Sequence, residues 1–133
     1  MKSLRDIVSK SLGLLIAEPE NNGALSAAIK NALDWLSRNY NNEEPLKNKK
    51  IGIISASYLT ENQIEDIHDI AKLNNALCHR HSFYASLKTN PFDQNSGILV
   101  SEEEKDRLAF WYQGFSAYVM SGLPDPEEVS FVL

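Results

Sequence analysis

A single cysteine, Cys78, occurs in 133 residues, so no disulfide can close within the chain. Disulfide-stapled secreted scaffolds are thereby excluded, and the lone thiol fits a reducing, cytoplasmic setting. Basic residues are outnumbered 18 to 13, which leaves a net charge of −5. A surface that tracks phosphates needs the opposite excess, so no nucleic-acid partner is expected. No stretch approaches the ~18 apolar residues of a membrane-spanning helix. The N-terminal MKSLRDIVSKS lacks the continuous apolar core of a secretory signal. No membrane partner is expected either. What is present is 43% hydrophobic and 23% charged residues, the balance of an ordinary globular protein. The length suits one domain, residues 1–133, able to bury roughly two thirds of its unfolded surface.

Short apolar runs alternate with helical patterns along the chain. Leu4, Ile7 and Val8 give a weak helical signal over 4–10. Leu12 to Ala17 is a continuous apolar run closed by Pro19 and Asn22-Gly23, which reads as a strand buried on both faces. Leu25, Ala28, Ile29, Ala32, Leu33 and Leu36 recur at helical spacing, predicting a helix over 24–38 with Trp35 at the edge of the stripe. Residues 39–50, polar and containing Pro45, form a loop. A second apolar run, 51–57, predicts another buried strand. Thr60 and Gln63 then have capping-box spacing before a helix that runs to about residue 75. Alternation around Phe83, Ala85 and Leu87 predicts a third strand over 81–87. Asn90 to Gly97 is a loop, and Ser101 and Glu104 again have capping-box spacing. Leu108, Trp111, Tyr112, Phe115 and Val119 define one face of a last helix, ended by Gly122 and Pro124. Strands alternating with helices predict an α/β fold with a parallel sheet of about three strands and flanking helices. Ligands in such sheets bind beyond the carboxyl ends of the strands, here Ala17 to Gly23 and Ser55 to Tyr58.

The stretch LLIAEPENNGALSAAIKNALDWLSR carries the most specific pattern: a strand, a turn with Pro19, Glu20, Asn22 and Gly23, and a helix containing Lys30-Asn31-Ala32-Leu33-Asp34-Trp35. It resembles the NADPH-dependent FMN reductase family, whose turn reads T-P-E-Y-N-G and whose helix contains L-K-N-A-L-D-W. IGIISAS is similar to the family's next strand, which ends in S-A-S. PFDQNSGILVSEEEKDRLAFWYQGFSAYV resembles its C-terminal segment and final helix. The likeness is to the C-terminal half of the family. The earlier strand and phosphate-binding loop would lie before Met1. Glu18 and Asn21 replace the turn's Thr and Tyr, and Tyr58-Leu59-Thr60-Glu61-Asn62 stands where a glycine-rich loop is usual.

The resemblance implies a partial flavodoxin-like fold and NAD(P)H-dependent reduction of flavin, quinone or a similar acceptor. FMN would be the cofactor and NADPH or NADH the co-substrate. Hydride transfer belongs to those two groups, so no catalytic side chain is assigned. The implied flavin contacts are Pro19, Glu20, Asn21, Asn22 and Gly23 in the first loop and Ser55, Ala56 and Ser57 in the second. The alternative is a non-catalytic interaction subunit that has kept the scaffold and lost the flavin phosphate site. Loss of several charge-assisted hydrogen bonds, each worth roughly 1.5–3 kcal/mol, would weaken flavin affinity by orders of magnitude. Cys78-His79-Arg80-His81 offers three possible metal ligands but no clear fourth, so no metal is assigned. Trp111, Tyr112, Phe115 and Tyr118 have the spacing of core or interface residues. The apolar run 12–17 carries no charge or proline to protect an open edge. A homo-oligomer, or a complementary chain covering the edge of strand 12–17, is therefore expected. The family's helix corresponding to 24–38 contributes to subunit contacts, which implies a similar role for Trp35.

Overall fold

The fold is taken from a computed structural model, which describes residues 2–58 and 61–121. Helix α1 (Lys2–Lys10) leads into strand β1 (Gly13–Ala17), helix α2 (Ala27–Ser37) and strand β2 (Lys50–Ser57). Helix α3 (Asn62–Leu73), the short strands β3 (Leu77–Cys78) and β4 (Phe83–Ser86), and helix α4 (Glu102–Ser121) complete the order. All strand pairs are parallel. β2 is central: β1 lies along one side, and β3 and β4 pair with successive parts of the other. The expected third strand over 81–87 is β4; β3, outside that range, occupies the same position beside β2, and residues 79–82 separate the two. The sheet is three positions wide, as the alternating pattern predicts. Among the described residues no helix is long and apolar enough to cross a membrane.

The two-residue period of β2 divides the core. Ile51 and Ile53 face α1, α2 and α3 and pack with Val8, Leu33, Leu36, Ile64 and Ile67. Gly52 and Ile54 face α4, where Phe83, Ala85, Trp111, Phe115 and Tyr118 form the second cluster. Trp111 and Phe115 stack with their ring centroids 5.4 Å apart. The close approach of α4 depends on Gly52, where an added Cβ would sit 2.8 Å from the Phe115 ring. Tyr112, expected on this buried face, points outward and is 55% exposed.

Two buried cations tie the layers together. Arg5, on α1, donates to the carbonyls of Trp35 (2.6 Å), Arg38 (2.8 Å) and Glu43 (2.9 Å). It thereby satisfies carbonyls at the end of α2 that lack intrahelical partners. Lys49 donates to the Ser11 and Ser9 carbonyls just beyond and within α1. The loop 39–50 is more than a polar spacer, because Pro45 and Leu46 are buried.

Several local expectations change. β1 is not buried on both faces: Ile16 is buried, but Leu15 is 43% exposed and Leu12 lies outside the strand. α2 starts at Ala27 because Ser26 is its N-cap, accepting a hydrogen bond from the Ile29 amide. Gln63 does not reach back to cap α3; it is fully buried and donates to Ser55 Oγ at 2.8 Å. Ser101 does cap α4 through the Glu104 amide, but the Glu104 carboxylate pairs with Arg107 instead of closing a box. Thr60, Gly122 and Pro124 lie outside the described residues.

Candidate functional site at the carboxyl ends of the strands

The loops after β1 and β2 meet at the carboxyl edge of the sheet. β1 continues past Ala17 along β2, with the Glu18 amide donating to the Ile54 carbonyl (2.9 Å) and the Glu20 amide to the Ala56 carbonyl (3.4 Å). The chain then reverses at Asn22-Gly23. Asn21 and Ala24 exchange backbone hydrogen bonds of 3.0 and 3.1 Å, and both enclosed residues have positive φ, 53° and 75°. That is the geometry of a type I′ turn, which favours the Asn-Gly pair found here.

Both glutamates of this loop turn inward. Glu18 is 1% exposed, and its carboxylate accepts from the amide and hydroxyl of Ser26 at the start of α2. A carboxylate at that position complements the helix dipole. Glu20 accepts from the Gly23 amide at 2.7 Å and from Ser57 Oγ at 2.8 Å. This second bond joins the two loops named by the family resemblance. Ser57 is itself buried, and its carbonyl accepts from the Tyr84 hydroxyl. Ser55 is buried beneath Gln63.

The eight implied contact residues therefore divide by role. Pro19, Asn21 and Asn22 are exposed, and Gly23 and Ala56 are half-buried. Glu20, Ser55 and Ser57 use their side chains to hold the loops in place. Pro19 and Ala56 border an apolar groove of about 330 Å³. Its other walls are Ala17, Ile54, Phe83, Ala85, Phe92, Leu99 and Leu108, with Ser55 at its side. Phe92 and Leu99 face each other across the loop 92–99 through an antiparallel backbone bridge. Asp93 fixes that loop by accepting from Ser96 and Asn95, which also holds its carboxyl below the usual range. The sequence reading missed this wall. Its signal was the Asp93 to Gly97 turn between two apolar residues.

Size and polarity suit the flat, apolar body of a ring ligand. Among the described residues no basic side chain borders the groove. The Gly23 and Ser26 amides are already engaged by the chain's own carboxylates. The groove thus fits an aromatic ring and not an accompanying phosphate.

The run Cys78-His79-Arg80-His81 lies elsewhere, from the end of β3 into the connection to β4. Burial pushes the Cys78 thiol up to about 11. The His79 ring packs among Trp111, Phe115 and Tyr118. No group of three metal-ligating side chains occurs among the described residues.

The architecture is a parallel α/β sheet with an apolar groove at the strand ends. The family model for NADPH-dependent FMN reductases matches residues 1–88, and the chain belongs to that family. The family match begins at residue 1, which corrects the expectation of a likeness confined to the family's C-terminal half. No curated protein matches the sequence. Among solved structures, FerB, a flavoenzyme NAD(P)H:(acceptor) oxidoreductase from Paracoccus denitrificans, is similar with a TM-score of 0.69 and 17% identity. The likeness covers 91% of this chain and 69% of FerB. The shared fold is flavodoxin-like.

Proposed function

We propose that this chain serves NAD(P)H-dependent, FMN-linked reduction of a flavin, quinone or similar acceptor, with its strand-end groove taking the ring of FMN. The observation that carries this reading is the Glu20–Ser57 clamp beside the apolar groove. It joins the two loops that the sequence resemblance implies as flavin contacts. When bound, FMN supplies the electron-accepting and hydride-transferring chemistry, with NADPH or NADH as its reductant. The chain's part is to bind and orient. Pro19 and Ala56 offer apolar contact, and the Asn21 to Gly23 turn, held by its own hydrogen bonds, forms the adjoining loop. The Glu20–Ser57 bond keeps the loops from moving apart, and the Gln63–Ser55 bond ties α3 to β2. Pre-set loops lower the conformational cost of binding. The protein would act in the cytoplasm as an oligomer, either with itself or with a complementary chain along strand 12–17.

A second reading, a flavodoxin-like interaction subunit without catalysis, is favoured by one feature. The loop amides that could face a phosphate already bind Glu18 and Glu20. Titration of FMN, followed by flavin fluorescence, separates the two. The enzyme reading expects binding that weakens in Asn22→Ala and Ser57→Ala. Unchanged affinity in both variants would move the site elsewhere, and no binding by the parent chain would favour the interaction subunit.

A further inference from the structure

We propose that Asn22 is a modification site, converted through a cyclic imide to aspartate and isoaspartate, and that the Glu20 carboxylate bound to the Gly23 amide controls the rate. Asn22-Gly23 is the one Asn-Gly pair in the chain. Gly23 has no side chain to crowd its nitrogen, and Asn22 is exposed to water at the tip of the turn. Asn41, Asn42, Asn48, Asn75 and Asn90 also have positive φ, but each precedes a residue with a side chain.

The conversion needs only water as co-reactant. The Gly23 nitrogen attacks Cγ of Asn22 and a C–N bond forms. The side-chain nitrogen leaves as ammonia, taking the proton that the Gly23 nitrogen gives up. Water then opens the imide at either carbonyl. Attack at the side-chain carbonyl leaves aspartate, and attack at the backbone carbonyl leaves isoaspartate. Nothing is oxidised or reduced, and either product adds a negative charge. Isoaspartate also inserts an extra carbon into the backbone of the loop whose Pro19 borders the apolar groove.

The fold holds this chemistry back. The Gly23 amide, which is the nucleophile, donates to Glu20 Oε1 at 2.7 Å. The other Glu20 oxygen accepts from Ser57 Oγ at 2.8 Å, which fastens the carboxylate to β2. Asn21 and Ala24 close the turn with backbone bonds of 3.0 and 3.1 Å. For the nitrogen to reach Cγ, the Asn22-Gly23 peptide must rotate, drawing its N–H off Glu20 and straining the Asn21–Ala24 pair. A carboxylate is too weak a base to take an amide proton outright, so the bond restrains the nitrogen instead of activating it. The reaction then proceeds from the opened turn, at a rate set by how often the clamp opens. Asn95 provides an internal comparison. The amide that would attack it, Ser96 N–H, donates to Asp93 Oδ1 at 2.8 Å, in a loop remote from Glu20. This inference stands apart from flavin binding, because no step involves a ligand.

The test incubates the full chain at mildly alkaline pH and maps its peptides by mass over time. The parent should convert slowly at Asn22, with release of ammonia. Glu20→Ala should convert at least about tenfold faster, the factor expected from losing a charge-assisted bond. Glu20→Gln has one acceptor oxygen for the Gly23 and Ser57 donors and should fall between. Ser57→Ala opens the clamp from the β2 side, leaves the turn intact and should raise the rate less than Glu20→Ala. Exchange of the Gly23 amide should accelerate in the same order, while conversion at Asn95 stays at the parent rate. If Glu20→Ala loses its cooperative urea melt, Glu20→Gln and Ser57→Ala decide by the same criteria. A parallel rise at Asn95 would show general loosening and overturn control by Glu20. An equal rate would do the same, and a slower one would make the carboxylate a base. No conversion at Asn22 in any variant would remove the site itself.

Discussion

Cys78 shows how burial alone sets chemistry at one residue. Its thiol is pushed up to about 11 because the thiolate would be desolvated, and it is not an activated nucleophile. Reaction with a disulfide reagent at pH 8 should be slow in the native protein and accelerate in urea; equal rates would contradict that environment. Gly52 is limited by space. Gly52→Ala places a methyl against the Phe115 ring and should cost about 1–3 kcal/mol, read from a urea melt. His68, on α3, bonds Ser82 at 3.1 Å, and burial lowers its pKa despite the nearby Asp69 and Glu65 carboxylates. A lowered histidine favours the neutral form on folding. Its contribution is therefore present above the ordinary value of 6.5 and lost as pH falls below it toward the folded value. His68→Gln should flatten stability over that acidic window.

At the scale of elements, α2 is held at both ends by groups distant in sequence. Glu18 fixes its start and Arg5 its end. Arg5→Ala would remove three charge-assisted bonds and leave carbonyls without their donor, a loss of about 3 kcal/mol in denaturant unfolding. Arg5→Lys should recover only part, because one ammonium cannot reproduce a planar fork across three acceptors. Full recovery would show that charge alone matters. The helical period of α2 and the apolar runs of β1 and β2 were legible from residue spacing. The short strand β3 was not, because only Leu77 and Cys78 pair with Lys50 and Ile51 before the connection 79–82 leads into β4.

The whole molecule presents an exposed aromatic region, separate from the β1 edge. Trp35 is 47% exposed and Tyr40 66%, beside a cleft of about 640 Å³ that also includes Arg38 and Glu43. Large exposed aromatics with a neighbouring arginine are typical interface anchors. Trp35→Ala is expected to lower the association state in sedimentation while leaving helix content unchanged. An unaltered mass would leave Trp35 as local packing around the Arg5 contacts.

By itself the sequence determined the order of elements, the parallel α/β class and the two loops of the candidate site. These follow from local periodicity, turn chemistry such as Asn22-Gly23, and a family pattern carried by contiguous residues. Tertiary structure alone decided that Glu20 and Ser57 meet across 37 residues and that Glu18 turns inward to Ser26. It also decided that Phe92, Leu99 and Leu108 wall a groove with Ala17 and Ala56. Contacts between remote residues depend on which neighbours the sheet brings together, and a one-dimensional pattern does not contain that distance. The half-open state of β1 has the same cause: an apolar run records a preference for burial, while the arrangement of the other layers decides how much of it is met.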